Sequence, residues 1–199
     1  MYTLFSNFNH SNIYDTRMEK MTKIINLFGG PGAGKSSTAS GLFFEFNKRG
    51  ITCDVPYEYP KEIVWDGKVS NLNDQLYVFA NQHRRIVRSY GKVDYVILDS
   101  PILLSFIYQE NVKLLYPSNL YGKEFNDLIL NVFKSYDNIN FFIEREDNKF
   151  IKNGRVHSSE ESIDIDNKIL TLLNENDIKY HSVKLGQEII KDILINLDV

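Results

Sequence analysis

The run Gly29-Gly-Pro-Gly-Ala-Gly-Lys-Ser36 fits the spacing G-x-x-x-x-G-K-[ST] without a mismatch, and the chemistry it could do is to hold a polyphosphate. Gly29, Gly32 and Gly34 admit backbone angles closed to other residues and leave room for phosphate oxygens. Gly30, Pro31, Ala33 and Ser37 complete the stretch, in which every residue but Pro31 has a backbone N–H to turn toward the anion, with the start of a helix adding partial positive charge. Lys35 has the reach for β- and γ-phosphates, and Ser36 has a hydroxyl suited to Mg2+. A second anchor is Asp99, which ends the apolar run Val93-Asp-Tyr-Val-Ile-Leu98. A carboxylate there can bind Mg2+ directly or through water, complementing Ser36. The plainer alternative for Asp99 is a helix N-cap ahead of Pro101.

Those groups can work together only if strands and helices bring them to one edge. Lys23–Phe28 reads as a strand buried on both faces. Ser37–Arg49 carries Ala39, Leu42, Phe43 and Phe46 at helical spacing and stops at Gly50. Further strands are expected at Ile51–Tyr57, ending early at Pro56, and at Val93–Leu98, Ile139–Ile143 and Lys179–Val183. Helices are expected from about Asn73 to Tyr90, again after residue 159 with Ile163, Ile165, Ile169, Leu172 and Leu173 as its apolar residues, and from Gln187 to Leu197. Strands alternating with helices predict an α/β, three-layer domain with a five-stranded, mainly parallel sheet. Ligands of such sheets gather at the carboxyl ends of the strands, so both anchors would face one cleft.

The glycine loop resembles that of the adenylate- and thymidylate-kinase-like nucleotide and nucleoside kinases, and the chain from about residue 22 to 199 resembles short bacteriophage P-loop proteins often labelled AAA-type ATPases. The resemblance implies a P-loop NTPase fold with a lid segment, the cofactors ATP and Mg2+, and transfer of the γ-phosphate to a nucleotide, nucleoside or similar small acceptor. It also implies roles for particular residues. Glu58, followed by Pro60 and Trp65, looks like the base for an acceptor hydroxyl, with Glu62 in reserve. Gln82, Arg84 and Arg85 lie where related kinases read the base or phosphate of the acceptor. The polar stretch of about 145–159 corresponds to the lid, whose Arg145 and Arg155 would neutralise charge on the moving phosphoryl group.

Two other readings keep the loop and change its use. In a thymidylate-kinase-like DNA kinase of phage type, Arg84, Arg85, Arg88 and Lys92 would contact a DNA backbone around a hydroxymethylated pyrimidine. A nucleotide-dependent switch or assembly ATPase would do without an acceptor. Against it, Ser100 follows Asp99, where oligomeric AAA machines place a second carboxylate.

Composition bounds the rest. A formal charge of -3 weighs against coating nucleic acid by charge alone. The single cysteine, Cys53, allows neither an internal disulfide nor a multi-cysteine zinc site, and His83 has no second ligand at metal spacing. No apolar run approaches the roughly 18 residues of a membrane span. A cytoplasmic location, the host's if the gene is a phage's, is the expectation. Residues 1–20 read as a loosely held arm and 21–199 as the kinase-like domain. The oligomeric state is set by no motif.

Overall fold

A computed structural model describes residues 21–56, 59–109, 122–145 and 159–199. Its sheet comprises β1 (Lys23–Phe28), β2 (Cys53–Asp54), β3 (Tyr95–Leu98), β4 (Asp137–Glu144) and β5 (His181–Lys184). They lie in the order β2-β3-β1-β4-β5. Every neighbouring pair is parallel, so all five carboxyl ends share one edge. The helices are α1 (Lys35–Lys48), α2 (Tyr59–Trp65), α3 (Gln75–Ser89), α4 (Ser105–Tyr108), α5 (Lys123–Lys134), α6 (Ser159–Glu175) and α7 (Ile189–Asn196).

The three layers follow from the period of two along β1. Ile24 and Phe28 face one side, where they join Phe79 and Ile86 of α3, Ile129 and Phe133 of α5, and Ile169 and Leu173 of α6. Ile25 and Leu27 face the other, against Leu42 and Phe46 of α1 and Ile193 of α7. All of these side chains are buried. Burying an aliphatic or aromatic side chain of this kind contributes about 1.5–3 kcal/mol before conformational entropy is subtracted.

One polar position interrupts the first core. Asn26, fully buried in β1, donates from Nδ2 to Asn138 Oδ1 at 2.8 Å and to Asn140 Oδ1 at 3.0 Å. Asn140 passes its own amide on to Lys179 O at 2.9 Å, and Asn138 donates to Phe133 O and Tyr136 O. The register sets Asn26 opposite Asn140, so the amides form a cross-strand ladder.

The expected elements are present, with shifted ends. The second strand shrinks to two residues because Pro56 has no N–H and because Thr52 and Asp94 bond each other's backbone through their side chains. Asp94 Oδ2 takes both the amide and the hydroxyl of Thr52, so β3 starts at Tyr95 rather than Val93. The strand expected at 139–143 is longer, Asp137–Glu144, because the asparagine ladder carries pairing past its polar start. In α6, Ile165, Ile169, Leu172 and Leu173 enter the core as expected, whereas Ile163 stays exposed. The arm at 1–20 and most of the segment expected as a lid lie outside the described residues.

Candidate functional site

The glycine run joins β1 to α1 directly, leaving Phe28 at the carboxyl edge of the sheet and entering the helix at Lys35. Gly29 and Gly32 take positive φ angles, 146° and 89°, as the loop reading expects of them. Pro31 and Gly32 are half-buried at the tip of the turn, and the buried Ala33 closes it by donating its N–H to Gly30 O at 3.2 Å. Gly34 is the N-cap of α1 with φ 86°, in the left-handed region, and an added Cβ there would lie 2.5 Å from Leu185 Cδ1. The left-handed backbone angle is what calls for glycine at this position, since the Leu185 side chain can move aside. No side chain caps α1, and its first turn holds no acidic residue, so the helix dipole is left to attract an anion. Ser36 and Ser37 are exposed on this first turn. Lys35 Nζ donates to Gly29 O at 2.6 Å and Gly30 O at 2.9 Å, which keeps the ammonium against the loop.

Asp99 leaves the neighbouring strand at the same edge. Asn26 of β1 pairs with Leu98, so Asp99 follows at the level where the glycine loop is about to begin. It is half-buried. Ser36 lies in the first turn of α1, the helix that follows β1, and Asp99 follows the adjacent strand β3. Hydroxyl and carboxylate make an all-oxygen pair of the kind that suits Mg2+, which keeps waters and shares its remaining positions with phosphates. Among the described residues no group of three or more His, Cys, Asp or Glu could hold a metal unaided. Fit to Mg2+ therefore rests on Ser36 and Asp99 together with a bound polyphosphate.

The acceptor-side candidates separate. Gln82 is buried on α3 and donates from Nε2 to Ser100 Oγ at 3.0 Å, tying α3 to the residue after Asp99. Arg85 forms an ion pair with Glu62 of α2 at 2.7 Å and stacks on the Tyr59 ring, 4.7 Å from its centroid. Its Nη1 is buried without a hydrogen-bond partner among the described residues. Burial, followed by the hydrogen bond to Tyr77, pushes the Tyr59 hydroxyl up to about 12, so this phenol stays neutral. Arg84 is exposed on the same helix. Glu58 and Arg155 lie outside the described residues.

Arg145, one residue past β4, sits at the glycine loop through a partner that no motif announced. Its Nε donates to Asp166 Oδ2 at 2.5 Å, and Asp166 Oδ1 accepts the Gly30 N–H at 2.5 Å. Gly30 and Asp166 are 136 residues apart, so no local spacing could have shown the contact. A shallow depression of about 370 Å3 bordered by Lys23, Ile51, Asp94 and Tyr95 lies at the amino ends of the strands, away from all of these groups.

Solved structures share this architecture. A NadR protein in complex with NR superposes with TM-score 0.67 at 16% identity, over 90% of this chain and 52% of that one. The chain thus spans about half of that protein. Deoxyadenosine kinase from M. mycoides with bound dATP superposes with TM-score 0.54 at 18% identity, over 88% of this chain and 100% of the other. These likenesses establish a P-loop kinase-like fold. No curated protein sequence matches the chain. A family model described as an AAA domain matches residues 24–188, from the second residue of β1 to the threshold of α7, and the chain belongs to that family.

Proposed function

We propose that the chain is a Mg-ATP-dependent phosphotransferase acting on a nucleotide, nucleoside or related small acceptor. The observation that carries this reading is the strand–loop–helix geometry of Gly29–Ser36, with Asp99 leaving the adjacent parallel strand at the same edge. The names of the structural neighbours, among them a deoxyadenosine kinase, support the choice of acceptor class.

In this reading the loop amides, that of Gly32 among them, and Lys35 hold the β- and γ-phosphates, while Ser36 and Asp99 hold the metal. Bound Mg2+ would supply charge neutralisation on the phosphate oxygens. An acceptor hydroxyl oxygen attacks the γ-phosphorus as the bond to the β–γ bridging oxygen breaks, and the hydroxyl proton passes to Glu58. Arg145 and Arg155 balance charge on the equatorial oxygens. Gln82 and Arg85 supply acceptor contacts, the unpartnered Arg85 Nη1 being suited to an acceptor oxygen.

A radiolabelled-ATP screen over nucleosides, nucleoside monophosphates and DNA carrying modified bases tests the assignment. Lys35→Ala should abolish transfer while the protein remains folded; undiminished turnover would refute the loop chemistry. Glu58→Gln should lower transfer at least tenfold more than ATP binding, and equal losses would move Glu58 to a structural role. Arg84 and Arg88 are exposed on α3, which keeps a DNA-linked acceptor as the second class. Salt separates the two: binding to DNA should fall steeply with ionic strength, whereas a small acceptor shows little slope.

A further inference from the structure

Three segments far apart in sequence meet at Gly30. An added Cβ on this glycine would stand 2.5 Å from Ser162 O, 2.8 Å from Arg145 Nη2 and 3.1 Å from Asp166 Oδ1. Helix α6 therefore approaches the phosphate loop so closely that only glycine fits between them. Ser162 and Asp166 are one turn apart on α6 and share that face. The Asp166 carboxylate spends one oxygen on the Gly30 N–H and the other on Arg145 Nε, both at 2.5 Å. Arg145 Nη2 reaches Ser162 O at 3.4 Å. The guanidinium is thus held at Nε and Nη2, and its Nη1 bonds none of the described residues. Both side chains are largely buried, 20% and 13% exposed, where a charge-assisted bond is strong and costly to break.

We propose that Asp166 is a positioning residue: it fixes Arg145 beside the phosphate loop so that Nη1 meets an oxygen of the terminal phosphate of a bound nucleoside triphosphate. This rests on the reading of Gly29–Ser36 as a triphosphate loop, though not on any acceptor. The opposite use of the same atoms would be a plug, with the carboxylate filling the anion's place. The geometry favours positioning, because Asp166 takes an amide on the β1 side of the loop and is neutralised by Arg145, while the first turn of α1 keeps its uncapped end. An arginine anchored at two points loses little freedom when it meets phosphate, and a displacement of about 1 Å at such a contact can cost on the order of a hundredfold in rate.

The test compares affinities for Mg-ADP and for a Mg-bound, non-hydrolysable β,γ-imido ATP in wild type, Asp166→Asn, Arg145→Ala and the double variant, with thermal unfolding as a check on folding. Asparagine keeps an acceptor for Gly30 and removes the charge that holds Arg145. The ratio of ATP-analogue to ADP affinity should fall on the order of tenfold in each single variant, with ADP affinity changed less than about threefold. The double variant should be no worse than Arg145→Ala alone, and Asp166→Glu should recover part of the ratio. Should Asp166→Asn fail to fold, Arg145→Ala and Asp166→Glu still decide. Equal weakening of both nucleotides, tighter binding of both, or additive losses in the double variant would each overturn the proposal. Absence of every acceptor phosphorylation with the ratio shifted as stated would sink the transferase reading and leave this one standing.

Discussion

At the scale of single residues, the loop could be read in the sequence because its chemistry is local. Six of its eight residues from Gly29 to Ser36 are Gly or carry the Lys-Ser pair, and no distant group is needed to recognise them. The place of Asp99 at a strand end was legible for a related reason: it terminates an apolar run, and an apolar run of that length marks a strand. Asp166 was not. Its role depends on α6 crossing behind the loop, and in sequence it is one acidic residue among several in Glu160–Asp166. Gln82 and Arg85 were named for reading an acceptor, and the fold also engages both in side-chain bonds, to Ser100 and to Glu62. Cys53 supplies a prediction at this scale. Burial, aided by Asp54 and Asp94, pushes its thiol up to about 11 from an ordinary 9. The folded protein then binds more protons than the unfolded chain between those values, so this group makes stability fall as pH rises from 9 to 11. At a pH of about 8 a disulfide reagent should modify Cys53 in the native protein at least tenfold more slowly than in urea. Equal rates would show that the thiol is not held as described.

At the scale of elements, the central strands and the long helices followed the sequence because burial imposes a period that survives without context. The short pieces did not. No element was expected at Tyr59–Trp65, but proline is tolerated in the first turn of a helix, and α2 forms there. Helix α5 repeats Phe125, Ile129 and Phe133 at intervals of four and buries all of them, a signal that the sequence carried and that the strand pattern overshadowed. Helix α3 presents Gln82 and Arg85, and its start depends on Asp74, whose Oδ1 accepts the Tyr77 N–H at 3.0 Å. Asp74→Ala should cost about 1 kcal/mol, read as a lower urea midpoint with an unchanged slope. A changed slope, or no loss, would mean that α3 is fixed from elsewhere.

At the scale of the whole molecule, the parallel order brings four separate segments to one edge: the loop after β1, Asp99 after β3, Arg145 after β4 and Leu185 after β5. Under the proposed function a nucleotide held there would meet the ends of several strands at once, so its binding energy would be shared by the domain. Saturation with Mg-ATP at about a hundredfold over Kd should add about 2.7 kcal/mol of stability and raise Tm by about 5–10 °C for a domain of this size. Lys35→Ala should remove most of that increase. A Tm indifferent to Mg-ATP in the wild-type protein would place the ligand elsewhere. Among the described residues no helix is long and apolar enough to cross a membrane.

The asparagine ladder beneath this edge has a consequence for inheritance and engineering. Asn26, Asn138 and Asn140 act like the wards of a key: sliding β1 by one notch against β4 would turn the Asn26 amide to the opposite face and strand it in hydrocarbon. A first strand grafted from a cousin with leucine at that position would take the Asn26 donor away from Oδ1 of both Asn138 and Asn140, whose own N–H groups keep their carbonyl partners. The three positions are therefore expected to change as a set, and a chimera that moves one alone should lose its fixed alignment before it loses its helices.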